Sequence, residues 1–126
     1  MTIMVLVRGL PGSGKSTYSH VNFVSQGFKH LETDMFFIKN GVFKYEPGKY
    51  AQAVEWCQRR TIEAVSERLN IVISNHFLRH WELGFYLQLA EKNNYDVVVH
   101  TCYTQYAAKA TYPQRLIDTM QTMFEA

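Results

Sequence analysis

Cysteine is scarce in this chain, with two residues among 126. Cys57 and Cys102 lack metal-ligand spacing, and both are expected as reduced core thiols of a cytosolic protein. An excess of one charge is missing too. The net charge is +2, which argues against bulk coating of nucleic acid and leaves room only for a local basic groove. No apolar run approaches membrane-spanning length, so no membrane partner is expected. The five histidines are not spaced as metal ligands. Ser13, Ser16 and Ser74 have no His–Asp partners placed by the sequence, so a hydrolase triad has little support. Repeats, low-complexity tracts and linkers are absent, and the length suits one compact domain over residues 1–126. The first strand begins almost at Met1 and belongs to the sheet, so a cleaved signal is not expected.

What the chain does have is Gly9-Leu10-Pro11-Gly12-Ser13-Gly14-Lys15-Ser16-Thr17. This is a complete G-x-x-x-x-G-K-[ST] phosphate-binding loop. The apolar run Ile3 to Val7 precedes it as a buried strand, and Ser16 to Val24 follows as a helix, which is the context the motif requires. Gly9, Gly12 and Gly14 let the backbone curl around a phosphate. The helix start adds its dipole and unpaired N–H groups. Lys15 is placed to reach the β- and γ-phosphates, and the Ser16 hydroxyl to ligate a bridging Mg²⁺. Guanine-specific N-K-x-D wording is absent, so ATP is the expected nucleotide.

Further along, Phe28 to Glu32 is a short second strand ending near Asp34. Asn40-Gly41 between apolar residues predicts a small hairpin. Lys49 to Leu69 is a long helix burying Ala53, Val54, Cys57, Thr61, Val65 and Leu69. Ile71 to Asn75 is a third strand. Arg79 to Lys92 is a helix with Leu83, Tyr86, Leu87 and Ala90 inward. Tyr95 to Thr101 is a fourth strand, and Pro113 opens a last helix burying Leu116, Ile117, Met120 and Phe124. Alternating strands and helices predict a three-layer α/β/α fold, its mostly parallel four-stranded sheet covered on both faces. A ligand then belongs at the carboxyl ends of the strands, beside Gly9, Asp34 and Asn75.

Several blocks carry a resemblance: Arg8 to Thr17, Glu32-Thr33-Asp34-Met35-Phe36-Phe37, Gly41-Val42-Phe43, Trp56-Cys57, Ile73 to Phe77, Trp81-Glu82 and the Tyr86 to Ala90 helix. The sequence resembles the small P-loop kinases, of the AAA-like group, that are related to the kinase domain of polynucleotide 5′-hydroxyl kinases. The resemblance implies that Asp34 accepts a proton from the attacking hydroxyl. By position alone, a carboxylate at that strand end can orient a nucleophile and reach Mg²⁺ through water. Asn75 stands where many P-loop proteins carry aspartate, and could hold a water or phosphate. Glu32 reads as a solvated strand residue, and His76 as a packing or exposed histidine.

The chain departs from the family pattern in its lid. The stretch from Cys102 to Tyr112 has no arginine, and Lys109 is its only cation. An ammonium cannot make the bidentate contact of a guanidinium, so either Lys109 substitutes, or Arg79 or Arg115 reaches in, or catalysis is weak. Phe37 stands where some relatives carry a substrate-binding arginine. Phe36, Phe37, Lys39, Phe43, Lys44, Tyr45, Lys49 and Tyr50 could form a base-stacking basic surface, or a hairpin packing its own aromatics.

The expected activity is an ATP- and Mg²⁺-dependent transfer of phosphate to a hydroxyl. The acceptor that the resemblance implies is the 5′ end of a single-stranded nucleic acid, with a small metabolite or nucleoside as the rival. A weakly catalytic nucleotide-binding module is the third reading. Lys15, Asp34 and Lys109 are the catalytic candidates, and Ser16 and Asp34 the metal candidates. Gly9, Pro11, Gly12, Ser13, Gly14, Lys15, Ser16, Thr17 and Asn75 are expected to bind the nucleotide.

Overall fold

A computed structural model describes residues 1–104 and 112–126. Strand β1 (Ile3–Arg8) lies inside a four-stranded parallel sheet, between β5 (Ile71–Asn75) and β6 (Asp96–Thr101), with β2 (Lys29–Leu31) beyond β5. Met4 to Val7 are completely buried. A strand covered on both faces has no solvent side, which is why this run is apolar without alternation. Side-chain alternation along the strands divides the core in two. Met4, Leu6, Ile71 and Ile73 pack with Cys57, Ala64 and Val65 of helix α2 (Tyr50–Ser66) and with Tyr86 and Ala90 of α3 (Gly84–Lys92). Val5, Val7 and Val72 face Tyr18 of α1 (Lys15–Asn22) together with Phe23, Val24 and Phe28.

The small hairpin forms from β3 (Ile38–Lys39) and β4 (Val42–Phe43), which pair antiparallel. Asn40 and Gly41 both have positive φ, 52° and 77°, as the tight hairpin turn demands. A third apolar cluster caps the carboxyl end of the sheet. It joins Tyr112 to Ile117 and Met120 of α4 (Gln114–Met123), with Leu10, Phe43, Tyr45 and Leu78 against them. Buried Arg8 ties this end together. Its guanidinium donates to the Phe77 carbonyl (2.8 Å) and the Glu125 carbonyl (2.5 Å), and lies 4.5 Å over the Phe124 ring.

Three expectations are corrected. Cover of the sheet is incomplete at β6, where Val97, Val98 and Val99 are 36–49% exposed. Among the described residues this strand pairs only with β1. Leu69 is exposed because α2 stops at Ser66, and Arg68 then takes a positive φ of 57°. Leu87 is exposed while Phe85 and Leu89 pack inward. Its helix begins with a 3₁₀ turn over His80–Leu83, and three residues per turn shift the phase of the face that follows.

Candidate active site

The phosphate loop bridges β1 and α1. Gly12 and Gly14 have φ of 80° and 86°, a left-handed conformation natural to glycine, and Gly14 is the residue on which α1 starts. Gly9 is needed for space instead. A Cβ there would lie 2.4 Å from Ser13 Oγ and 2.8 Å from the Cys102 carbonyl oxygen. Pro11 and Ser13 are buried, while Ser16 and Thr17 sit at the exposed mouth. Lys15 folds back to donate to the Leu10 carbonyl at 3.0 Å. Burial lowers its pKa to about 8, against the opposing pull of Asp34 and Glu32. Among the described residues the buried Ser13 hydroxyl has no hydrogen-bond partner, which is costly unless a ligand supplies one.

The carboxyl ends of β2 and β5 bring the acidic and amide groups beside this loop. Asp34 lies on a 3₁₀ turn over Thr33–Phe37. That turn is fastened by Asn75, whose Oδ1 accepts the Thr33 N–H at 2.7 Å and whose Nδ2 faces Cys57 Sγ at 3.8 Å. The Tyr112 hydroxyl donates to Asp34 Oδ1. Burial raises the Asp34 pKa, while the Tyr112 hydrogen bond and Lys15 oppose the rise. Around Tyr112 stand the rings of Tyr45 (5.0 Å), His76 (5.5 Å) and Phe43 (5.7 Å). His76 is buried, which pushes its pKa well below the usual value.

Glu32 is not the solvated residue its strand position suggests. Its Oε2 accepts the Ser16 hydroxyl at 2.5 Å and lies 2.9 Å from His30 Nε2. His30 continues to the Ser74 hydroxyl (3.1 Å), and Ser74 to Ser19 (2.5 Å). Burial alone would raise the Glu32 pKa, but the hydrogen bonds from His30 and Ser16 hold it low. Period-two spacing puts His30 and Glu32 on one side of the strand, and that was the available signal. No local signal marked Tyr112, 78 residues from Asp34.

The other candidates fall elsewhere. Lys109 lies outside the described residues. Arg115 is exposed on α4, and Arg79 begins the 3₁₀ turn ahead of α3. The hairpin aromatics largely pack inward. Phe37 is completely buried, Phe36 meets Trp56, and Phe43 and Tyr45 meet Tyr112. Lys39 and Lys49 both pair with Glu46 at 3.5 Å. On the opposite side of the loop is an open cleft of about 660 Å³, lined by Gly14, Thr17, Tyr18 and residues 100–104. The Tyr18 and His100 rings stack there at 4.0 Å.

Hydroxyl and carboxylate oxygens at Ser16, Glu32 and Asp34 suit a hard cation such as Mg²⁺. Among the described residues, no three His, Cys, Asp or Glu side chains form a metal cage. Among the described residues, no helix is long and apolar enough to cross a membrane.

Residues 4–118 match the family model described as AAA domain, and the chain belongs to that family. It is 35% identical over 104 residues to human NEDD4-binding protein 2, covering 76% of this chain but 6% of that protein's length. Two solved structures share the fold. A chain of the Pnkp1/Rnl/Hen1 RNA repair complex is 15% identical at a TM-score of 0.70, covering 97% of this chain and 43% of that one. A gluconokinase from Sinorhizobium meliloti 1021 is 15% identical at a TM-score of 0.64, with coverage of 98% and 75%. The fold is that of small P-loop kinases.

Proposed function

We propose that this member of the AAA domain family is an ATP-dependent phosphotransferase, residues 1–126 acting as one kinase-like domain on a hydroxyl acceptor. The observation that carries the reading is the phosphate loop between β1 and α1, left-handed at Gly12 and Gly14 and carrying Lys15, with the partly buried carboxyl of Asp34 on the turn that follows β2.

Each residue has a role in this reading. Lys15 exchanges the Leu10 carbonyl for phosphate oxygen. The Ser13 hydroxyl, without a partner among the described residues, would donate there, and Gly9, Pro11, Gly12 and Gly14 shape the cradle. Thr17 lies where the loop opens into the cleft, which has the volume of a small-molecule pocket and would take the nucleoside beside Tyr18 and His100. Ser16 and Asp34 would hold Mg²⁺, which when bound neutralises charge on the phosphates. Asp34 accepts the acceptor's proton, and a carboxyl raised by burial is a better base than an exposed one. Asn75 keeps the Asp34 turn in place and faces the ligand only through that turn. Lys109 is carried from the sequence as the lid cation. The two free thiols fit a reducing cytosol.

The acceptor favoured by the polynucleotide-kinase resemblance is a nucleic-acid 5′-hydroxyl. A small hydroxyl compound is the second reading, favoured by Tyr112, which touches Asp34 and is itself packed against Tyr45 and Phe43. The test is transfer of γ-labelled phosphate from ATP-Mg to single-stranded DNA or RNA with a 5′-hydroxyl, beside gluconate and nucleosides, with Lys15→Ala as the blank. Lys15-dependent labelling of the oligonucleotide supports the first reading, and of a small acceptor the second. ATP binding without transfer to any acceptor would identify a nucleotide-binding module and overturn the enzymatic reading.

A further inference from the structure

The geometry points to Glu32 as the anion that orients Ser16 toward the cation of this site, supplying from the end of β2 the negative charge that Asn75 does not carry at the end of β5. This rests on the proposed use of the site for a Mg²⁺-bound nucleotide.

Glu32 Oε2 accepts the Ser16 proton at 2.5 Å. A hydroxyl whose hydrogen is committed to a carboxylate keeps its lone pairs free for a cation, and Ser16 is exposed to receive one. Glu32 is itself fixed, because His30 holds the same oxygen at 2.9 Å and is anchored to the buried Ser74–Ser19 pair. The Glu32 side chain is only 17% exposed, so its charge acts through a partly desolvated medium. Asn75 is uncharged, and its carboxamide is engaged by Thr33 and Cys57. Asp34 is engaged by Tyr112. The Ser13 hydroxyl, buried in the same loop and without a partner among the described residues, is a second observation that suits an anionic ligand at this spot. Glu32 is thus a positioning residue that acts through Ser16. Outer partners of metal ligands typically contribute about 10–100-fold in metal affinity.

The experiment is ADP titration by calorimetry in Mg²⁺ and in EDTA, with Mn²⁺ binding to the protein–ADP complex followed by electron paramagnetic resonance. Wild type should bind ADP more tightly with Mg²⁺. Glu32→Gln should lose most of that ratio and weaken Mn²⁺ binding about 10–100-fold, with its EDTA affinity unchanged or improved. Ser16→Ala should lose the same ratio, and adding Glu32→Gln to it should lose no more. Asn75→Asp in the Glu32→Gln background should restore part of the ratio. Should Glu32→Gln not fold, Glu32→Asp reads the same ratio with the charge kept and the contact stretched.

A wild-type ratio and Mn²⁺ affinity in the Glu32 variant would overturn the inference while leaving the nucleotide-site reading intact. Absence of any Mg²⁺ effect on wild-type ADP binding would overturn both.

Discussion

The Tyr112 hydroxyl donates a hydrogen bond to Asp34 Oδ1, joining the segment just ahead of α4 to the turn after β2. It favours the ionised carboxylate against burial, which is the larger influence and pushes the Asp34 pKa up. Tyr112→Phe removes a donor to the charged form, so the Asp34 pKa should rise further. Phosphate transfer by the variant should fall at mildly acidic pH, by about tenfold for a lost hydrogen bond to a charged group, and recover as pH rises. The kcat–pH profile checks this. An acid limb that does not move would show that Asp34 is not the titrating base.

Lys15 gives a second pH signature. With its pKa lowered to about 8 by burial, a sizeable fraction is neutral in weakly alkaline solution. Phosphate favours the ammonium, so nucleotide binding should take up protons near pH 8, and affinity should fall as pH rises through that value. Calorimetry in two buffers of different ionisation enthalpy measures the uptake directly. Lys15→Ala should abolish nucleotide-dependent transfer. Equal heats in both buffers near pH 8 would refute the titration.

The sheet and the phosphate loop were legible because each is written in adjacent residues. Burial of β1 on both faces appears as an unbroken apolar run, and the positive φ of Asn40, Gly41, Gly12 and Gly14 appears as Asn and Gly in fixed places. Leu69 and Leu87 were misplaced because periodicity does not say where a helix stops or where a 3₁₀ turn resets its phase. Glu32 and Tyr112 escaped for another reason. Their roles come from partners 16 and 78 residues away, and such pairings follow from packing that a single sequence does not show. Gly9 was found, but its cause was not: close approach, not a left-handed turn, fixes it.

That close approach gives a third prediction. Gly9→Ala would press a methyl against Ser13 Oγ at 2.4 Å and the Cys102 carbonyl at 2.8 Å. Overpacking of this kind costs roughly 1–3 kcal/mol. Ser13→Ala removes the first clash but not the second, which is with backbone. The double variant should therefore stay less stable than Ser13→Ala alone in urea unfolding. Full recovery would show that the backbone at Cys102 yields freely.

Ser13→Ala by itself should separate stability from function. The hydroxyl is buried and has no partner among the described residues, so it contributes a desolvation cost of about 1–3 kcal/mol with no hydrogen bond in return. Removing one oxygen leaves only a small void, because the Cβ remains. The ligand-free variant should unfold at equal or higher urea concentration than wild type. Its ADP affinity should drop about tenfold, the size of one hydrogen bond to a charged group. Opposite signs in these two measurements are expected if Ser13 is held in a costly state for the sake of a phosphate. A loss of stability with unchanged ADP affinity would mean that the hydroxyl serves the loop's own structure and that the cradle binds without it.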